Sequence, residues 1–194
     1  MRSMKQAGVL FAVAAALSFT GCAARDFTYL QPGLDARGHY IDGVPYFHEE
    51  ENSCGPAALA SVASYWGRQV SLKEIIARVY LPELRGTLPM DMESYLRDAG
   101  FETVSLSGNL DDLKALIRGN VPVISLIDLG FGPYRRPHYV TVIGFDDENN
   151  LLIVHDGLVP NRVIGLSKFN AEWTRAGSWM LVAMPKTVEA RNRP

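Results

Sequence analysis

Residues 138–156 read HYVTVIGF, DDENN, LLIVHD. Two apolar runs rich in Val and Ile, separated by a short polar stretch, fold as strand, tight turn, strand, and so short a link forces the two strands antiparallel. The C-terminal half is thereby committed to an antiparallel sheet. Other runs can join it: 121–127 is β-branched and strongly apolar, 101–106 can form a strand, 163–166 is a weak strand and 178–183 a closing one, with 167–175 read as a helical turn.

The N-terminal half follows the helical period instead. Small and apolar residues persist from Gly55 to Trp66, with Leu59, Val62, Ala63 and Trp66 at helical spacing and Gly67 as a C-terminal cap. Ser71 and Glu74 form a capping-box pattern ahead of the stripe Leu72, Ile75, Ile76 and Val79. Further helices are expected over 89–99, with Pro89 near the start and Gly100 past the end, and over 110–118, stopped by Gly119. Helices first and strands after imply an α+β fold, helices packed on an antiparallel sheet, rather than alternating βαβ units. At 194 residues, 47% hydrophobic and 21% charged, the chain suits one domain with a full core. Its 19 basic and 21 acidic residues include no basic block able to follow a nucleic-acid backbone, which argues against a nucleic-acid partner.

The first residues, MRSMKQAGVLFAVAAALSFTGC, read as an export signal: Arg2 and Lys5, then an apolar run too short for a membrane span of roughly 20 residues, then small residues before Cys22. FTGC resembles the lipobox of bacterial lipoproteins, with Phe19 in place of the usual leucine. That resemblance implies acylation of Cys22 and a lipid anchor to a membrane. Ala23 after it resembles outer-membrane lipoproteins and implies an anchored protein of the bacterial envelope facing the periplasm. Residues 1–21 are then a signal peptide, 22–43 a tether and approach segment, 44–186 the folded domain and 187–194 a polar tail.

Acylation of Cys22 leaves Cys54 as the one thiol in a compartment that favours disulfides. A Cys22–Cys54 disulfide is the alternative. Cys54 stands before Gly-Pro at the start of the first helix, where unpaired N–H groups and the helix dipole favour thiolate. Gly55 would allow close approach of a substrate carbonyl. A small buried cysteine is the plain reading of the same position.

A base must come from His39, His48, His138 or His155. If the DDENN turn centres near Asp147, His138 lies opposite Asp156 on one face of the hairpin, roughly 5 Å apart at Cβ. Cys54 would then attack, His138 carry the proton and Asp156 orient the imidazole. A one-residue slip in register would destroy the pair and offer His155. A structural His138, or a metal bound by Cys54, His138 and Asp156, are the alternatives; the ligand spacing is too dispersed for a metal signal, and no metal or other cofactor is expected. Gly130, Gly132, Tyr134 and Arg135 could line a substrate groove or merely shape a turn. GFG lacks the strand-helix setting of a phosphate loop, so no nucleotide is expected.

VPYFHEEENSCGPAALASVASYWG, PHYVTVIGFD and VHDG resemble the bacteriocin-processing, papain-like cysteine peptidases of the C39 family, and more closely their stand-alone lipoprotein relatives, through VYLPELRGTLPMDMESYLRDAGF. The likeness runs from Val44 to Pro185. It implies a papain-like fold with Cys54 as nucleophile, His138 as base and Asp156 as orienter, acting on a peptide or protein substrate, often after Gly-Gly. The chain departs from the family at one point. Members place a glutamine five or six residues before the cysteine to bind the oxyanion, and those positions hold Glu49 and His48. An ionised Glu49 would repel an oxyanion, whereas a His48 N–H could donate beside the Cys54 backbone N–H. A thiol peptidase of an envelope or exported protein is the leading expectation. A peptide-binding lipoprotein that assists assembly or maturation of a surface structure, and a thiol amidase or acyltransferase, are the alternatives.

Overall fold

The computed structural model of the chain describes residues 37–50 and 52–186. The expected signal peptide, Cys22, most of the tether and the tail 187–194 lie outside the described residues. Chain order is β1 (Gly38–Tyr40), α1 (Cys54–Tyr65), α2 (Leu72–Val79), α3 (Pro89–Asp98), β2 (Phe101–Ser107), α4 (Leu110–Arg118), β3 (Val123–Asp128), β4 (Pro137–Asp146), β5 (Leu151–His155), β6 (Arg162–Gly165), α5 (Leu166–Arg175) and β7 (Trp179–Pro185). All pairings are antiparallel, in the order β2-β7-β3-β4-β5-β6, and β1 pairs with the end of β4. The α+β expectation holds.

The sheet is covered on both faces. Leu59, Val62 and Ala63 of α1, Ile75 and Val79 of α2, and Met92 and Leu96 of α3 form one core with Ile124, Tyr139 and Leu181. Leu113 and Ile117 of α4 and Phe169 and Trp173 of α5 form another with Val123, Ile127, Val140 and Val142. α1 is buried on nearly every side, because its alanines let α2, α3 and the sheet approach together. Its N-terminus, where Cys54 stands, is thereby fixed against β4.

Local differences from the sequence reading have local causes. Ser71 precedes α2 but its side chain makes no capping bond, whereas Asn109 caps α4 by accepting from the N–H groups of Asp111 and Asp112. The segment 167–175 is a full helix rather than a turn, since Phe169 and Trp173 bury completely. β1 lies within the stretch read as tether, and Ile41 is buried beyond it, its N–H bonded to the Ile143 carbonyl at 2.8 Å.

The β4–β5 register differs from the expected one. Asp146 pairs with Leu151 and Phe145 with Leu152, but a bulge between Val142 and Gly144 shifts the ladder so that Thr141 faces His155. The turn occupies 147–150 rather than centring on Asp147. His138 and Asp156 are therefore not cross-strand partners; the partner of His138 is Ile127 of β3.

Candidate active site

α1 begins at Cys54 because Pro56 suits the first turn of a helix and the preceding residues are not helical. Cys54 is a free, half-buried thiol. The Cys54 sulfur, a His138 ring nitrogen and a Glu49 carboxylate oxygen all lie within 4.8 Å of one another. They meet at a cavity of about 450 Å3 whose other walls are the 84–89 loop, Asn52, Leu126, Arg136, Pro137 and Tyr139. Among the described residues this is the one trio of Cys, His and acidic side chains so close together, so a cation held by these donors would block the thiol.

His138 is oriented by main chain. Its Nε2 lies 2.9 Å from the Asp156 carbonyl oxygen; a carbonyl only accepts, so Nε2 carries the proton and Nδ1 is left as the basic nitrogen. The Asp156 carboxylate, expected to do the orienting, is 1% exposed and committed elsewhere. It accepts from the N–H groups of Leu158 and Val159 at 3.0 and 2.6 Å and pairs with Arg162. Asp156 thus shapes the turn that presents its own carbonyl. His155 is held through both nitrogens, near the Val44 carbonyl and the Asn161 N–H, which leaves it no free lone pair for catalysis.

Burial disfavours the charged form of both groups. Burial pushes the Cys54 thiol above its ordinary value of 9.0; the Tyr139 N–H opposes this and the Glu49 charge adds to it. Burial also pushes His138 below its ordinary 6.5, against the carbonyl bond and charge of Asp156. The helix start favours thiolate as expected, but desolvation outweighs it.

Glu49 and His48 divide sharply. His48 is exposed, with Nδ1 3.1 Å from the Tyr46 hydroxyl, and does not line the cavity. Glu49 does. Its N–H bonds the Gly157 carbonyl at 2.8 Å and its Oε2 is buried without a partner. A Cβ on Gly157 would sit 2.9 Å from that oxygen, which accounts for the glycine after His-Asp.

The five expected groove residues lie off the cavity. Gly55 is buried, and a Cβ there would stand 3.0 Å from the Thr87 Cβ, so its role is to let Thr87 and Tyr139 pack over the helix start, not to admit a carbonyl. Gly130 and Gly132 belong to the β3–β4 loop, Tyr134 is 80% exposed, and Arg135 pairs with Asp128 at 2.7 Å. Asp128, missed in the sequence, also accepts from the N–H groups of Gly130 and Arg136, and these bonds together hold its pKa down at about 2. It fixes the loop that delivers His138. The 84–89 wall was missed as well; exposed Leu84 and Leu88 between prolines were its one signal.

Residues 41–180 match the family described as Peptidase_C39 like. The chain belongs to the C39-like peptidase family. The C39-like chain is 28% identical over 144 residues to the mesentericin-Y105 transport/processing ATP-binding protein MesD of Leuconostoc mesenteroides, which covers 68% of this chain and 19% of that relative. The chain thus spans about a fifth of that relative's length. The peptidase domain of Streptococcus ComA, a bifunctional ABC transporter of a quorum-sensing pathway, superposes with a TM-score of 0.57 at 25% identity, covering 73% of this chain and 97% of that one. A double glycine motif protease of an AMS/PCAT transporter, solved with its leader peptide, gives 0.62 at 20% identity over 76% and 94%. A C39-like peptidase structure from Bacillus anthracis gives 0.62 at 16% over 79% and 100%. The homology supports a cysteine-peptidase identity for the C39-like chain. It contradicts the expected outer-membrane, periplasm-facing location: the relatives from Leuconostoc and Streptococcus come from Gram-positive bacteria, which have no outer membrane. No helix among the described residues is long and apolar enough to cross a membrane.

Proposed function

We propose that the protein is a thiol peptidase that cuts a flexible segment of an exported peptide or protein through an acyl-enzyme on Cys54. The observation that carries this reading is the Cys54 sulfur within 4.8 Å of a His138 nitrogen, beside an open cavity. His138 takes the thiol proton as sulfur attacks the scissile carbonyl, then gives it to the leaving amine. Water activated at the same nitrogen hydrolyses the thioester. The Asp156 carbonyl keeps Nε2 protonated throughout and so leaves Nδ1 as the nitrogen that takes and returns the proton. Cleavage after Gly-Gly belongs to the reading, prompted by the double glycine motif protease of similar fold. A stand-alone, lipid-anchored form acylated at Cys22 belongs to it too, and mass spectrometry of the mature N-terminus checks that point.

One observation favours a second reading, a peptide-binding protein with little turnover. An ionised Glu49 beside the nucleophile would oppose the oxyanion, and losing one oxyanion donor costs on the order of 3 kcal/mol. The test is to incubate the signal-free chain and Cys54→Ser with exported proteins and compare new peptide N-termini. Cysteine-dependent cleavage is expected; equal profiles would leave only binding.

A further inference from the structure

The loop before Cys54 puts an acid where an amide would serve the reaction more simply. We propose that Glu49, carrying its proton, is the side-chain donor to the developing oxyanion. This rests on the thiol-peptidase reading and assigns its second half. Glu and Gln have the same length and branching, so a carboxylic acid can offer O–H where the amide offers N–H. The geometry supports the role: the carboxyl group converges on the sulfur that the oxyanion will adjoin, and Oε2 is buried with no partner. A hydrogen bond from main chain to the Gly157 carbonyl and the bare Gly157 Cα beneath the carboxyl fix its place. A partnerless buried carboxylate costs far more than the neutral acid in the same place.

The surrounding charges agree. Burial first, then the negative Asp156, push Glu49 above its ordinary 4.5, while His48 and Arg136 pull it down. Tyr46, Cys54 and His138 also stand around it, and Arg85 and Tyr139 line the same cavity; Tyr46 and Cys54 are themselves pushed up by burial and in part by the Glu49 charge. A carboxylic acid kept neutral by its site is an established way to donate to an oxyanion.

In the first step the S–C bond forms, the thiol proton passes to His138, and the carbonyl π pair moves onto oxygen. Glu49 donates a hydrogen bond to that oxygen and keeps its proton. When the intermediate collapses, the pair returns, the C–N bond breaks and His138 protonates the amine. The competent enzyme has His138 neutral and Glu49 protonated. Its rate is therefore bell-shaped in pH, rising as His138 loses its proton and falling as Glu49 loses its own.

The test measures turnover of a fluorogenic Gly-Gly peptide against pH for the native chain, Glu49→Gln, Glu49→Ala and Cys54→Ser, and follows the Glu49 carboxyl by 13C NMR, assigned by its loss in Glu49→Gln. Above the maximum the native rate should fall about tenfold per pH unit, and Glu49→Gln should abolish that fall and exceed the native rate at least tenfold once the fall is established. At the native maximum Glu49→Ala should be about a hundredfold slower than native. Its carbon signal should titrate above those of the other glutamates. An alanine variant as fast as native at the native maximum, or a Glu49 signal titrating with the other glutamates, overturns the proposal while leaving the peptidase reading intact. No Cys54-dependent turnover in any variant removes the peptidase reading and the donor role together, a distinct signature.

Discussion

The two sides of Cys54 are built on opposite plans. On the base side the polar atoms that set the geometry are committed: His138 Nε2 to the Asp156 carbonyl, the Asp156 carboxylate to two N–H groups and Arg162, and the loop before His138 to Asp128. On the oxyanion side, Glu49 Oε2 is buried with no partner. Under the donor role proposed for Glu49, the side that holds one geometry is saturated and the side that receives charge only during the reaction keeps a group in reserve. Saturation also explains why the base is held by main chain: a carbonyl in a bonded turn moves less than a carboxylate on a rotatable stem.

The largest break in this comparison is His138→Ala, which removes the base and should cost about 10²- to 10⁴-fold in kcat, measured on the Gly-Gly peptide with a circular dichroism check of folding. Next is Gly130→Ala. Its Cβ would fall 1.9 Å from the Tyr134 carbonyl oxygen, so the loop that delivers His138 must shift, at about 1–3 kcal/mol in denaturant unfolding, with a fall in turnover alongside.

Asp156→Asn separates orientation from charge. The main-chain carbonyl remains, so His138 should keep its tautomer and most of its activity, a result opposite to that for a carboxylate orienter. The lost negative charge lowers the pKa of both His138 and Glu49, so both limbs of the pH profile should move to lower pH together. The variant should also lose about 1–3 kcal/mol of stability through its weakened bonds to Leu158, Val159 and Arg162.

The smallest effect is read in acid. Asp128 has its carboxyl lowered from an ordinary 3.8 to about 2, so its contribution is fully present above 3.8 and disappears as the pH falls through about 2. Asp128→Asn should therefore flatten the acid end of the stability profile and leave the neutral end less stable than native.

The sequence made the elements legible wherever a glycine, a proline or a β-branched run punctuated them, as at Gly67, Pro89 and 121–127. Cys54 and His138 could be singled out because each stands at the start of a well-marked element, and the fold brings the two together. The partner of His138 was not, since one bulge at Ile143 and a turn over 147–150 moved the register, and neither leaves a local mark. β1 was missed for a related reason: three residues become a strand only because the distant end of β4 accepts them. The choice between His48 and Glu49 also depended on a distant contact, the Glu49 bond to Gly157, which aims one neighbour at the cavity and the other at solvent.

The most direct measurement of the thiol-peptidase account is intact-mass analysis after exposure to a peptide chloromethyl ketone ending in Gly-Gly, run on the native chain and on His138→Ala. The account predicts one adduct per chain, mapping to Cys54 and forming about a hundredfold slower without His138. A Cys54 that stays unmodified, or one that reacts at the same rate in both proteins, would contradict it.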